Sequence, residues 1–141
     1  MSENKLFLDT CGWLSLLNAG DRLHAAAARV WRDCGRKPYT IFVTDWVVAE
    51  TGNGLARSRV KSAFVQAFAD MKISPQVRVI YATPEKIDRA LGLYQQRTDK
   101  DWGLVDCLSF LIMQDHQIVE AFTNDRHFEQ AGFRCLLPQP N

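Results

Sequence analysis

Five short, mostly apolar runs constrain the fold of this chain more than any other feature, and they lie at residues 5–8, 40–43, 77–80, 118–123 and 132–137. None alternates strictly between apolar and polar residues, which is the pattern of a strand with one face in water. Segments with apolar residues at helical spacing separate the runs. Buried strands alternating with helices predict an α/β fold, in which helices cover both faces of a central parallel sheet.

Length and composition are those of a globular protein. With 141 residues, the whole chain, 1–141, is predicted to be a single domain. Hydrophobic residues make up 47% of it, yet no apolar run approaches the roughly 18 residues of a membrane span. The N-terminal residues lack the pattern of a signal peptide, so a cytoplasmic location is expected. A net charge of +1 excludes a polycation, although a local basic patch is enough to bind a polyanion.

The cysteines and histidines show no metal-binding spacing. They are Cys11, Cys34, Cys107, Cys135, His24, His116 and His127. In a reducing cytoplasm we expect four free thiols that pack as small hydrophobic side chains. Each histidine is predicted to be a surface residue rather than a ligand.

Acidic residues flank the predicted strands at the edge where ligands bind in parallel α/β sheets. Asp9 closes the first strand, and Asp125 follows the fourth strand by two residues. Glu50 lies roughly two turns into the helix after the second strand. Asp106 lies near the start of the helix before the fourth strand, among apolar neighbours. Because the carboxyl ends of parallel strands share one edge, these carboxylates are predicted to converge.

Each acid also has a structural explanation when it is taken alone. Asp9 can cap a helix, Asp125 can be a turn residue, Glu50 can be an exposed helix position, and Asp106 can pair with an arginine. Four carboxylates at one edge would nevertheless repel one another, and a hard divalent cation removes that repulsion. The combination therefore indicates a site for Mg²⁺ or Mn²⁺, which can activate water for attack on a phosphodiester.

Other catalytic motifs are missing from the sequence. The chain has no P-loop, no G-x-G-x-x-G and no serine elbow. Asp9 as a phosphorylated nucleophile is a weaker alternative, because aspartate-based phosphatases need a second acid where this chain has Cys11. A catalytically inert scaffold that binds RNA or a partner is the remaining alternative to a nuclease.

Four segments contain the acids in order, and they read FLDT at 7–10, VAET at 48–51, KDWGLVDC at 100–107 and TNDRHF at 123–128. Together they resemble the PIN-domain family and, within it, the toxin ribonucleases of the VapC type. The resemblance covers nearly the whole chain, and the last two segments are the more specific. It implies a three-layer α/β/α sandwich with a parallel sheet. It also implies a metal-dependent endoribonuclease that is the toxin of a type II toxin–antitoxin system.

The resemblance implies roles for individual residues as well. The residues that match the family's catalytic, metal-binding acids are Asp9, Glu50, Asp106 and Asp125. Family members use these acids to bind one or two Mg²⁺ or Mn²⁺ ions. Thr123 matches a hydroxyl residue that supports the fourth acid. Toxin members form homodimers and are neutralised by an antitoxin, so both partners are expected here.

Asp101 lies five residues before Asp106, on the loop or the first helical turn. We expect it to cap the helix at Trp102 or Gly103, or to support the metal ligands, and we rank direct contact with the metal lower.

Candidates for RNA contact lie near the acids, and they are Arg57, Arg97, Lys100, Trp102 and Arg126. Basic side chains bind phosphates, and Trp102 can stack on a base or pack in the core. For each basic residue, an ordinary charged surface is an equally good interpretation.

Overall fold

A single parallel sheet forms the centre of the computed structural model, which describes residues 4–139. Its strands are β1 (Asn4–Leu8), β2 (Tyr39–Thr44), β3 (Val77–Ile80), β4 (Glu120–Phe122) and β5 (Arg134–Cys135). The strand order is β3-β2-β1-β4-β5, and every neighbouring pair is parallel. The predicted parallel sheet is therefore confirmed.

Helices connect the strands. They are α1 (Thr10–Leu17), α2 (His24–Gly35), α3 (Asp45–Gly54), α4 (Lys61–Ile73), α5 (Pro84–Gln96), α6 (Leu104–Asp115) and α7 (Arg126–Gln130). Helices α1 to α4 pack among themselves, and α5 to α7 pack among themselves. Right-handed crossovers place these two groups on opposite faces of the sheet. The predicted three-layer α/β/α sandwich is thus confirmed. Within residues 4–139, no helix has the length and apolarity to span a membrane.

The core lies along the middle strands. Leu6, Phe7 and Leu8 of β1 are fully buried, because helices cover both faces of this central strand. Below β4, the ring of Phe110 on α6 meets the ring of Phe128 on α7 edge-on, with 5.0 Å between centroids. The aromatic packing fixes α6 and α7 relative to each other and to the sheet.

The carboxyl ends of β1 and β4 form the point where the sheet order reverses. These strands are neighbours, with Leu8 paired to Phe122, but α1 and α7 leave them on opposite faces. A crevice beyond such a reversal is the usual ligand position in open α/β sheets. Gly12 on α1 makes the close packing possible, since a Cβ there would overlap the carbonyl oxygen of Phe122.

Candidate active site

Asp9 lies directly after β1, at the crevice, and is only 4% exposed. Although it precedes α1, its carboxylate accepts no capping hydrogen bond. Instead, the hydroxyl of Thr123 donates to Asp9 Oδ2 at 2.8 Å. Asp9 thus occupies the N-cap position of α1, as considered, but its buried carboxylate makes no capping hydrogen bond and is left to the site.

Burial also sets the protonation of Asp9. It raises the pKa of this carboxyl to about 7, and the charges of Asp106 and Asp125 act in the same direction. Hydrogen bonds from Thr123 and from the backbone of Thr10 lower the pKa but do not outweigh burial. A carboxylate in such surroundings is strongly stabilised by a bound cation.

Asp106 lies in the first turn of α6, partly buried beside the same crevice. Its Oδ2 accepts a hydrogen bond from the backbone N–H of Gly103 at 3.1 Å. Burial raises the pKa of Asp106, and the charge of Asp125 adds to this shift. In the part of the chain that the structure describes, Asp106 pairs with His127 and with no arginine, so the arginine ion pair is wrong.

Asp125 is the N-cap of α7, where its Oδ1 accepts a hydrogen bond from the backbone N–H of His127 at 2.9 Å. Its own backbone N–H donates to the hydroxyl of Thr123 at 3.0 Å. Asp125 is thus a helix cap rather than the turn residue considered for it. The same cap holds its carboxylate near Asp106 and Asp9, since the charge of Asp125 raises the pKa of both of those carboxyls.

His127 is a residue of the site that the sequence analysis missed. Its Nδ1 lies 3.1 Å from Asp106 Oδ2 and 3.5 Å from Asp125 Oδ1, and its side chain is 28% exposed. Ligand atoms of these three residues all lie within 4.8 Å of one another. The prediction that His127 is only a surface residue is wrong. Its position two residues after Asp125, in the first turn of a helix, was the available signal.

Glu50 lies at the rim of the crevice rather than inside it. It is exposed on α3, and the hydroxyl of Thr10 donates to its Oε1. Thr10 directly follows Asp9, so this hydrogen bond connects Glu50 to the site. The predicted convergence therefore brings Asp9, Asp106 and Asp125 close together, with Glu50 at their edge.

Thr123 and Cys11 form a polar network under the acids. The single hydroxyl proton of Thr123 goes to Asp9, so this oxygen accepts from its other neighbours, including the thiol of Cys11 at 2.8 Å. The sulfur of Cys11 also lies 3.0 Å from Asn124 Oδ1. All four cysteines are free, as expected, but Cys11 makes polar contacts in addition to packing. Burial raises the pKa of Cys11 to about 12, so it remains a thiol.

Asp101 does not cap α6, which corrects one of the roles considered for it. The helix begins at Leu104 with Gly103 as its N-cap, and Asp106 accepts the Gly103 N–H. Asp101 is exposed and lies two residues before the cap.

Of the two roles considered for Trp102, the structure shows packing. Its ring is 6% exposed, stands edge-on against Phe110, and donates from Nε1 to Gln130 Oε1 at 3.1 Å. The guanidinium of Arg97 covers the ring at 4.7 Å and pairs with Asp99 at 3.0 Å. Stacking of Trp102 on an RNA base is therefore excluded, and Arg97 already has an anionic partner.

The other basic candidates differ in their exposure and in whether they form an ion pair. Arg126 is exposed and directly follows Asp125, while Arg57 is exposed after α3. Lys100 is partly buried, with its Nζ 3.9 Å from Asp99. Among residues 4–139, neither Arg126 nor Arg57 forms an ion pair. Arg126 is the basic side chain nearest to the acids in the chain.

The donor set fits a small divalent cation. Asp106, Asp125 and His127 offer ligand atoms within 4.8 Å of one another, and the charges of both acids act on the buried Asp9. Carboxylate oxygens are the ligands that Mg²⁺ and Mn²⁺ prefer, and imidazole is compatible with Mn²⁺.

The sheet is parallel throughout, and acidic side chains lie at the carboxyl edge where its strand order reverses. These two features define a class of α/β domains that bind metal ions at this edge. The chain belongs to the PIN domain family, whose model it matches over residues 6–134. It is 32% identical over 134 residues to the 23S rRNA-specific endonuclease VapC20 of Mycobacterium tuberculosis, in strains CDC 1551/Oshkosh and ATCC 25618/H37Rv. That alignment covers 95% of this chain and 99% of the relative.

A solved structure agrees with this assignment. The crystal structure of Mycobacterium tuberculosis VapC20, described as a Sarcin-Ricin loop cleaving toxin, matches with a TM-score of 0.82 and 32% identity. The match covers 94% of this chain and 99% of that one. The resemblance to the PIN family and the predicted fold are both confirmed.

Proposed function

We propose that this chain is an endoribonuclease that depends on Mg²⁺ or Mn²⁺ and is the toxin of a toxin–antitoxin pair. The observation that carries the proposal is the buried Asp9 carboxylate, which makes no capping hydrogen bond to α1 and lies beside Asp106 and Asp125. A close likeness over 95% of the chain to an endonuclease supports the same activity.

Asp9, Asp106 and Asp125 would hold the cation, and Glu50 would contribute from the rim. A bound divalent ion supplies a polarised water and stabilises the charge that develops on the phosphodiester. The residues of the chain do the positioning. Thr123 orients Asp9 through its hydroxyl, and the helix cap of α7 orients Asp125. Asp101, which caps no helix, is proposed to support the metal ligands from the exposed loop before α6.

The proposed substrate is large-subunit ribosomal RNA, because the similar endonuclease is named as specific for 23S rRNA. With a net charge of only +1, binding must come from local basic side chains rather than from the overall field. Arg126, next to Asp125, and the exposed Arg57 are proposed phosphate contacts, and the partly buried Lys100 is a third. We also propose that the chain is a single domain, forms a homodimer, is located in the cytoplasm and is neutralised by a cognate antitoxin.

Cleavage of intact ribosomes tests this function. Purified protein is incubated with ribosomes in Mg²⁺, and with protein-free 23S rRNA in EDTA, Mg²⁺ or Mn²⁺, and the cut in 23S rRNA is mapped by primer extension. We expect one cut that needs a divalent ion and is absent with Asp106→Asn. Asp99→Asn is the matched control, because it makes the same chemical change in a residue whose partner is Arg97.

The outcomes separate the two functions considered. Equal RNA loss with Asp106→Asn would point to a contaminating nuclease and contradict the proposal. Tight RNA binding without cleavage under every metal condition would instead support an inert scaffold. The Asp101→Asn variant, run beside these, shows whether that exposed acid supports cleavage at all.

A further inference from the structure

We propose that His127 is a metal ligand and that its Nδ1 makes the site select Mn²⁺ over Mg²⁺. The inference rests on the proposed metal-dependent function and adds the identity of the ion and a nitrogen ligand to it.

The positions of three atoms carry the inference. His127 Nδ1 lies 3.1 Å from Asp106 Oδ2 and 3.5 Å from Asp125 Oδ1. Neighbouring ligands of an octahedral ion, with bonds of about 2.1 Å, are about 3 Å apart. The imidazole nitrogen and the two carboxylate oxygens therefore already have the spacing of ligands around one ion.

Backbone hydrogen bonds hold these groups in place before any ion binds. The N–H of Gly103 fixes Asp106 Oδ2 at 3.1 Å, and the N–H of His127 fixes Asp125 Oδ1 at 2.9 Å. His127 itself lies in the first turn of α7, so its ring position follows from the helix start. A preformed set of donors favours the ion that accepts all of them.

The chemistry of the donor set decides between the two ions. Mg²⁺ is bound through oxygen and keeps several of its waters, whereas imidazole nitrogen suits later first-row metals better. Facing an ionised Asp106 at 3.1 Å, Nδ1 would carry the proton of the hydrogen bond, because an ionised carboxylate oxygen only accepts. For a divalent ion to be held by Nδ1, the ring would give up this proton and take up one from solvent at Nε2, so that the imidazole is neutral with and without the ion.

Electron paramagnetic resonance of the bound ion tests the ligand directly. Mn²⁺ is titrated into the full-length, metal-free protein, and the spin-echo envelope is examined for modulation by a coordinated ¹⁴N nucleus. We expect this modulation in the wild-type protein and its loss in His127→Gln. The affinity for Mn²⁺ should fall about tenfold or more in that variant, while the affinity for Mg²⁺ in competition changes much less.

His24→Gln is the matched control. The ring of His24 lies 3.0 Å from the carbonyl oxygen of Ser15 and, within residues 4–139, forms no hydrogen bond or ion pair with the acids of the site, so both the modulation and the affinities should be unchanged. The wild-type spectrum alone tests the nitrogen ligand, so the test survives if a variant fails to fold.

Each outcome has one meaning. Tight Mn²⁺ binding without ¹⁴N modulation, or an unchanged Mn²⁺ preference in folded His127→Gln, overturns the role of His127 and leaves the metal-dependent function standing. Equal and weak Mn²⁺ binding by the wild-type protein and by Asp106→Asn would overturn the metal site itself.

Discussion

The hydroxyl of Thr123 donates to Asp9 Oδ2 at 2.8 Å, and it joins two buried residues that lie 114 positions apart in the chain. The same oxygen accepts the backbone N–H of Asp125 at 3.0 Å. One small side chain thus couples the acid that follows β1 to the acid that follows β4. The distance between the two acids depends on this hydroxyl, which no apolar side chain can replace.

Thr123→Val keeps the shape of the side chain but removes the hydroxyl. Because that hydrogen bond lowers the pKa of Asp9, the variant should raise this pKa above its value of about 7. Hydrogen bonds to charged groups contribute about 1.5–3 kcal/mol, so we expect RNA cleavage at pH 7 to fall about tenfold or more. The loss should be partly recovered at higher pH. A full pH–rate profile measures this effect, and Thr123→Ser should behave like the wild-type protein.

Asp9 should make the metal-free protein less stable as the pH rises. In the folded chain its pKa is about 7, whereas the ordinary value is 3.8, so folding retains a proton between these limits. The free energy of unfolding should therefore fall from pH 4 to pH 7, by on the order of 4 kcal/mol if Asp9 acts alone. Asp9→Asn removes this contribution. The free energy of unfolding of the variant minus that of the wild-type protein should therefore be more positive at pH 8 than at pH 5.

Urea unfolding in EDTA at the two pH values measures the difference. Adding Mn²⁺ at pH 8 should raise the melting temperature of the wild-type protein by mass action and that of Asp9→Asn much less. An identical response of both proteins to Mn²⁺ would contradict a metal site at Asp9.

Gly12→Ala tests the close approach of α1 to the sheet. The new Cβ would overlap the carbonyl oxygen and the ring of Phe122, and α1 would have to move. We expect a loss of about 3 kcal/mol or more in the free energy of unfolding, because backbone cannot yield as a side chain does. Gly92→Ala is the control: it lies within α5, has open space around it, and should gain up to about 1 kcal/mol.

Arg126→Ala tests the proposed phosphate contact. Because the side chain is exposed, stability should change by less than about 0.5 kcal/mol, while RNA binding weakens. The slope of log affinity against log salt should become shallower by about 1, as expected for one lost phosphate contact. Filter binding of RNA measures the affinity and its salt dependence, with Arg126→Ala introduced into the catalytically inactive Asp106→Asn variant so that the RNA stays intact. Unchanged affinity and salt slope would remove Arg126 from the RNA surface.

The fold follows from the sequence to a large extent because the strands are buried on both faces. Apolar runs without alternation predicted the parallel sheet, and β3 at Val77–Ile80 agrees with its prediction residue for residue. The run at 118–123 was predicted too long. The amide of Ile118 bonds back to Met113, and that of Thr123 bonds to Ala121, so turns replace the strand at both ends. Apolar and β-branched residues occur both in strands and in buried turns, so composition alone does not show where the strand ends.

The site was only partly predictable. The argument from strand ends found Asp9 and Asp125, because topology alone places them together. His127 was missed, since its role depends on the first turn of α7 directing the ring back toward Asp106. The burial of Trp102 was equally invisible, because it depends on Phe110 and Gln130 arriving from other helices. Such contacts arise from tertiary packing rather than from spacing along the chain.

The place of β4 in the sheet has a consequence for protein synthesis. This strand is the fourth of five in the chain, yet it lies next to β1, and the residues after it supply the hydroxyl and the acid that complete the site. A nascent chain that has reached residue 119 carries Asp9, Glu50 and Asp106 but leaves one edge of β1 open and Asp9 without its partner. Products of translation interrupted before β4 therefore cannot assemble the acidic crevice, and the site exists only once Thr123 and Asp125 have been synthesised.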